Sequence, residues 1–167
     1  MTRLATIRHM READADAVSA LLIASWDRTY APLMDAAKVR AQNDTRHQPE
    51  HIVSDMARPH AESFVAVAED GKVVGYAFAD VTKGVLWLDR LHIDPQYQGT
   101  GVAAGLLQAV IANYVGERSI SLEVIEGNDR AIAFYRKQGF EVTERKGACG
   151  TIEGVPTLIM RRVISRA

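Results

Sequence analysis

One stretch, Leu88 to Leu107, constrains this chain more than any other: an apolar strand-like run, a proline, a glycine-rich turn and then a helix. Leu86, Leu88 and Ile93 read as strand, and Pro95 cannot prolong a central ladder, so the strand stops near Asp94. Beyond Gly101, the residues Val102, Leu106, Leu107, Val110, Ile111 and Tyr114 recur at helical spacing. A glycine-rich turn feeding a helix offers unpaired backbone N–H groups and the positive end of a helix dipole to one anion. The glycines let that backbone close on a phosphate. A phosphorylated ligand is expected here.

The rest of the composition narrows the partners. A chain of 167 residues, 47% hydrophobic and 25% charged, fits a single globular domain over residues 1–167. A formal net charge of −1 supplies no general attraction to polyanions, so no nucleic acid and no membrane is expected as partner. Cys149 is the only cysteine, which excludes an intramolecular disulfide framework and suggests a cytoplasmic location. Arg3, Arg8, Arg11 and Glu12 stand where a signal peptide would be apolar. No uncharged apolar run approaches the ~20 residues that span a bilayer.

Taken in order, Leu4 to Arg8 reads as a short strand and Ala13 to Ser25 as a helix, with Ala17, Val18, Leu21 and Leu22 on one face. Trp26, Tyr30 and Pro32 follow in a loop or the entry to a second helical stretch, as packing or as a wall of an acceptor pocket. Pro49 opens another helix that ends near Arg58-Pro59. His47-Gln48-Pro49-Glu50-His51 matches the zinc-protease pattern H-x-x-E-H, but that pattern needs a continuous helix and Pro49 begins one after His47, so no metal is expected. Ser63–Glu69 and Lys72–Asp80 read as strands joined at Asp70-Gly71, a type I′ hairpin signal, and Val85–Ile93 as a third antiparallel strand. Ser119–Ile125 is the next strand, and Asn128–Lys137 a helix capped by Asn128. Phe140–Thr143 and Pro156–Ile164 are the last strands, the final one a candidate sheet edge for a homodimer.

Gly99-Thr100-Gly101-Val102-Ala103-Ala104 also fits the dinucleotide fingerprint G-x-G-x-x-A, with Glu123 near the place of a ribose-binding acid. The intervening Asp94 to Gln98 and the antiparallel strands before it argue against that reading. No Gly-Lys-Ser/Thr follows, so a P-loop is excluded. The segment Leu91 to Ala103 instead resembles the acyl-CoA signature of the GNAT superfamily of N-acetyltransferases, Q/R-x-x-G-x-G/A, with Gln98, Gly101 and Ala103 in its places. Leu122 to Phe140 resembles the superfamily's second motif, N-x-x-A-x-x-x-Y-x-x-x-G-F, running from Asn128 through Tyr135 to Gly139-Phe140.

That resemblance implies an α+β (α/β mixed) GNAT-like fold, with a mixed, mostly antiparallel seven-stranded sheet flanked by about four helices. It implies transfer of the acetyl group of acetyl-CoA, a cosubstrate, to a primary amine of a small molecule, a protein N-terminus or a lysine. The cofactor residues would be Leu91, His92 and Ile93 along the pantetheine, Gln98, Gly99, Thr100, Gly101, Val102, Ala103 and Ala104 around the pyrophosphate, and Asn128 and Tyr135. In such enzymes the tyrosine at Tyr135 protonates the departing thiolate, and Glu123 stands where related proteins carry the base. An alkylamine of pKa ~10 is neutral about one part in a thousand at pH 7, so a base is needed. His92 and Asp89 are the substitutes for that role. Trp26 and Tyr30 are candidates for the acceptor wall. Cys149 has no context that lowers its pKa, so direct transfer in a ternary complex is expected over an acyl-cysteine. The competing reading is a non-catalytic acyl-CoA-binding or sensing module, which would keep the loop and dispense with Tyr135 and a base.

Overall fold

The computed structural model describes residues 4–147 and 154–164; Cys149 and Gly150 lie outside them. Seven strands form one sheet in the order β1-β2-β3-β4-β5-β7-β6: β1 Ala5–His9, β2 Glu62–Ala68, β3 Val73–Thr82, β4 Val85–Ile93, β5 Ser119–Ile125, β6 Glu141–Lys146 and β7 Thr157–Val163. Every pairing is antiparallel except β4 with β5. Among the described residues five helices flank it, where about four were expected: α1 Ala15–Tyr30, α2 Ala36–Asp44, α3 Pro49–Met56, α4 Val102–Ala112 and α5 Asp129–Lys137. α2, the second helical stretch left open after Pro32, carries a weak apolar face but a clear start, with the Asp35 carboxylate accepting from Ala37 N–H.

Two cores lie on opposite faces of the sheet. Leu106, Leu107 and Val110 of α4 and Ile132 of α5 pack on Leu86, Leu88, Ile120, Leu122 and Val124. Val18 and Leu22 of α1 and Ile52 of α3 pack on Val65, Tyr76 and Phe78. α1 runs past Ser25 to Tyr30, so Trp26 and Tyr30 sit on its last turns and not in a loop. Their aromatic rings pack 4.4 Å apart and cover Ile125 and Val155, and this cover is what prolongs the helix.

The hairpin turns differ from the sequence expectation. At Asp70-Gly71 the turn is a three-residue loop: Gly71 N–H bonds Ala68 C=O, Ala68 N–H bonds Lys72 C=O, and only Gly71 is left-handed, at φ 89°. A two-residue loop with both central residues at positive φ, as type I′ requires, occurs instead at Lys83-Gly84, at φ 52° and 76°. The last strand is not an edge. β7 lies between β5 and β6, because its buried Thr157, Ile159 and Met160 need cover on both sides. β6 takes the edge; its exposed sequence Glu141-Val142-Thr143-Glu144-Arg145-Lys146 suits a strand open to water.

A candidate cofactor and acceptor cleft

β4 and β5 touch at a single bridge, Trp87 with Ser121, and then part. The split opens into a cleft of about 620 Å³ bounded by Leu88 to Ile93 of β4, Leu122 to Val124 of β5, α1, α5 and the loop before α4. Beyond Trp87 the β5-facing edge of β4 has no neighbouring strand, which is the arrangement that admits an extended ligand as an added strand.

At one end stands the glycine loop. Asp94 accepts from Gln96 N–H, 2.9 Å, and turns the chain into a short 3₁₀ turn, Pro95–Tyr97. Gly99 and Gly101 are both left-handed, at φ 76° and 91°. The first hydrogen bond of α4 runs from Gly105 N–H to Gly101 C=O, so the N–H groups of Val102, Ala103 and Ala104 have no acceptor within the helix. Unpaired N–H groups at a helix start are the kind of donors that can hold an anion. Thr100 has another part: its N–H and hydroxyl both turn back to Tyr97 C=O, closing the loop. The Val102 side chain is buried in the core. Gly101→Ala forces a side chain into a left-handed position and is expected to raise KM for acetyl-CoA about tenfold, equivalent to roughly 1–2 kcal/mol, with kcat less affected; steady-state kinetics checks this.

The walls carry the chemistry. Leu122 and Val124 enter the core under α4, so strand alternation sends Glu123 to the opposite face, that of α1. There Thr157 donates its hydroxyl to Glu123 Oε1 at 2.7 Å. Tyr135 comes from the α5 side, edge-on to Phe134 and Phe140 at 5.4 and 5.6 Å. Loss of water, with a smaller contribution from Tyr30, pushes the Tyr135 phenol above its ordinary value, so it stays protonated. Asn128 caps α5, accepting from Ala131 N–H at 3.4 Å, and lines the same cleft.

His92 projects to the α1 face, with Nδ1 2.8 Å from Ser25 Oγ. Desolvation first, then Arg90 and Arg28, push it down to about 3, so the ring is neutral. Asp89 is pushed up to about 8, first by loss of water and then by the hydrogen bond it shares with Asp80. Raised in this way beside a second carboxylate, Asp89 is a poor substitute base. Tyr30 lines the cleft; Trp26 backs it, packed at a tilt against Tyr30 and His47. Pro49 stands at the first turn of α3, so His47 precedes the helix, packed on Trp26 and bonded to Asn43. Among the described residues no group of three His, Cys, Asp or Glu is placed to hold a metal, and no helix is long and apolar enough to cross a membrane.

Ser25, Arg28 and Thr29 join the cleft, and Thr157 meets Glu123 behind it, without any sequence signal. Each arrives from an element distant in sequence, and local patterning does not carry that information.

The acetyltransferase (GNAT) family model matches residues 20–140. The peptidyl-lysine N-acetyltransferase YjaB of Salmonella typhimurium is 33% identical over 124 residues, 74% of this chain and 77% of that protein. An aminoglycoside N(6')-acetyltransferase type 1 of Stenotrophomonas maltophilia is 31% identical over 151 residues, 84% of this chain and 88% of that protein. The crystal structure of a PaiA N-acetyltransferase from Thermoplasma acidophilum in complex with coenzyme A shares the fold, with a TM-score of 0.81 over 96% of this chain and 99% of that one, at 21% identity.

Proposed function

The chain belongs to the GNAT family of acetyltransferases, and from that premise we propose how its cleft works and which residues carry the reaction. It is an acetyl-CoA-dependent N-acetyltransferase, moving an acetyl group from acetyl-CoA to a primary amine. In our reading Val102, Ala103 and Ala104 bind the pyrophosphate through their N–H groups, with Gln98, Gly99, Thr100 and Gly101 shaping the loop. The backbone of Leu91, His92 and Ile93 holds the pantetheine as an added strand, and Asn128 borders it. One of those N–H groups polarises the thioester carbonyl as charge develops on its oxygen.

The observation that carries this reading is the parting of β4 and β5 after Trp87, with Glu123 facing α1 and Tyr135 on the α5 side. The amine arrives from the α1 face, loses a proton to Glu123 and attacks the thioester held in the split. Tyr135 donates its proton to the sulfur that leaves. Acid and base thus act from opposite faces, which suits direct transfer in a ternary complex.

The acceptor is a primary amine of a small molecule or of a protein N-terminus or lysine. The relatives named for peptidyl-lysine and aminoglycoside substrates support both kinds. Tyr30 borders its path, with Trp26 bracing it from behind. The reading takes residues 1–167 as one domain working in the cytoplasm, with the open β6 edge as the surface for any homodimer. Thiol release from acetyl-CoA is the test, against a panel of lysine peptides, N-terminal peptides, polyamines and aminoglycosides. Release that depends on an amine is expected. Binding of CoA without release under any amine would turn the protein into the acyl-CoA-binding module.

A further inference from the structure

We propose that Thr157 is a positioning residue for this reaction: its buried hydroxyl orients the Glu123 carboxylate. The inference rests on the reading of Glu123 as the base. Thr157 has no exposed surface, and its Oγ lies 2.7 Å from Glu123 Oε1. Its backbone is paired with Ile125, two residues beyond Glu123, so the hydroxyl reaches diagonally across the β5–β7 ladder.

The direction of the bond is unambiguous, since an ionised carboxylate can only accept. A hydroxyl in a dry strand position costs stability unless it finds a partner, and Glu123 is that partner. β-Branching restricts the rotation of Thr157 about χ1, so the donor is held in place. Thr157 therefore acts through Glu123 without touching the substrate.

Other charged groups look onto the same opening. Asp89, Arg90 and His92 line it from β4, and Arg28 and Tyr30 from α1. Arg130, Tyr135 and Lys137 line it from α5, and Arg161 of β7 stands opposite Ser121. Arg90 is already paired with Asp55, and His92 is neutral above about pH 3. None of them changes when Thr157 alone is altered, so a Thr157 series isolates the hydroxyl.

The test is kcat and KM for Thr157→Val, Thr157→Ser and Glu123→Gln, with an amine that the thiol-release panel identifies. In Thr157→Val kcat is expected to fall about tenfold while KM for acetyl-CoA stays within about twofold, and Thr157→Ser, which keeps the donor, restores it. Thr157→Ala removes the same donor without a second methyl in the hydroxyl's place and carries the same expectation if Val disturbs packing. In the Glu123→Gln background, Thr157→Val is expected to have no further effect. An unchanged kcat in both Val and Ala variants, with Glu123→Gln still impaired, overturns the inference and leaves the base intact. So does an equal loss from Thr157→Val in both backgrounds. A Glu123→Gln enzyme with the wild-type rate overturns the base itself, and Thr157 with it.

Discussion

Tyr135→Phe is expected to lower kcat about a hundredfold or more while acetyl-CoA affinity stays within twofold, because general-acid assistance contributes on the order of 10²–10⁴ in rate. The substitution removes one oxygen and keeps the ring that packs edge-on to Phe134 and Phe140. Thiol release in steady state reads kcat, and calorimetry with CoA reads affinity. The split between the two distinguishes an acid from a packing residue, since a loosened α5 would weaken the cofactor as well. The phenol is raised above its ordinary value, so the wild-type basic limb is expected to lie at higher pH than a free tyrosine would give. Undiminished turnover in Tyr135→Phe would mean that the thiolate leaves unassisted.

The second large effect falls on stability. Arg90 is a buried cation: its guanidinium lies 2.8 Å from Asp55 Oδ2, 3.5 Å from the Tyr76 hydroxyl and 5.5 Å over the Phe78 ring. Asp55 comes from α3, so this pair ties the helix to β4 beside the cleft. Asp55→Ala strips the cation of its counter-charge and is expected to cost about 3–5 kcal/mol, lowering Tm by roughly 10 °C. Arg90→Met with Asp55→Ala removes both charges and is expected to recover much of that loss, because the penalty belongs to the uncompensated charge. Thermal melting of the two variants checks both statements. A single variant melting within two degrees of the parent would show that α3 is held by Ile52 and its apolar neighbours alone.

Arg58 makes a useful contrast. It pairs with the buried Asp80 from a half-exposed position, so water screens part of the interaction. Asp80 also lies beside Asp89, so the rim of the cleft adjoins the charge network under α3.

Much of the fold was legible locally. β4 and β5 have the bounds read from their apolar runs, and Asn128 caps α5 as its position suggested. Val102, Leu106, Leu107, Val110 and Ile111 became one buried face of α4, and Tyr114 is buried just past its end. The errors fell where tertiary partners decide. α1 continues to Tyr30 because Trp26 and Tyr30 find Ile125 and Val155, residues far away in sequence. The last strand was misplaced at an edge because strand order in a sheet is set by which faces need cover, a property of the assembled ladder.

The candidate site divides along the same line. Residue types and spacing within twenty residues determined the loop half of the cleft: the strand, the left-handed glycines and the helix start with its unpaired N–H groups are all local backbone conformations. Only the tertiary structure decided that β4 and β5 part after Trp87, that Glu123 faces α1 while Tyr135 stands on the α5 side, and that Thr157 holds the carboxylate. These are meetings between elements brought together by burial of two cores, and burial is a sum over the whole chain that no short stretch contains.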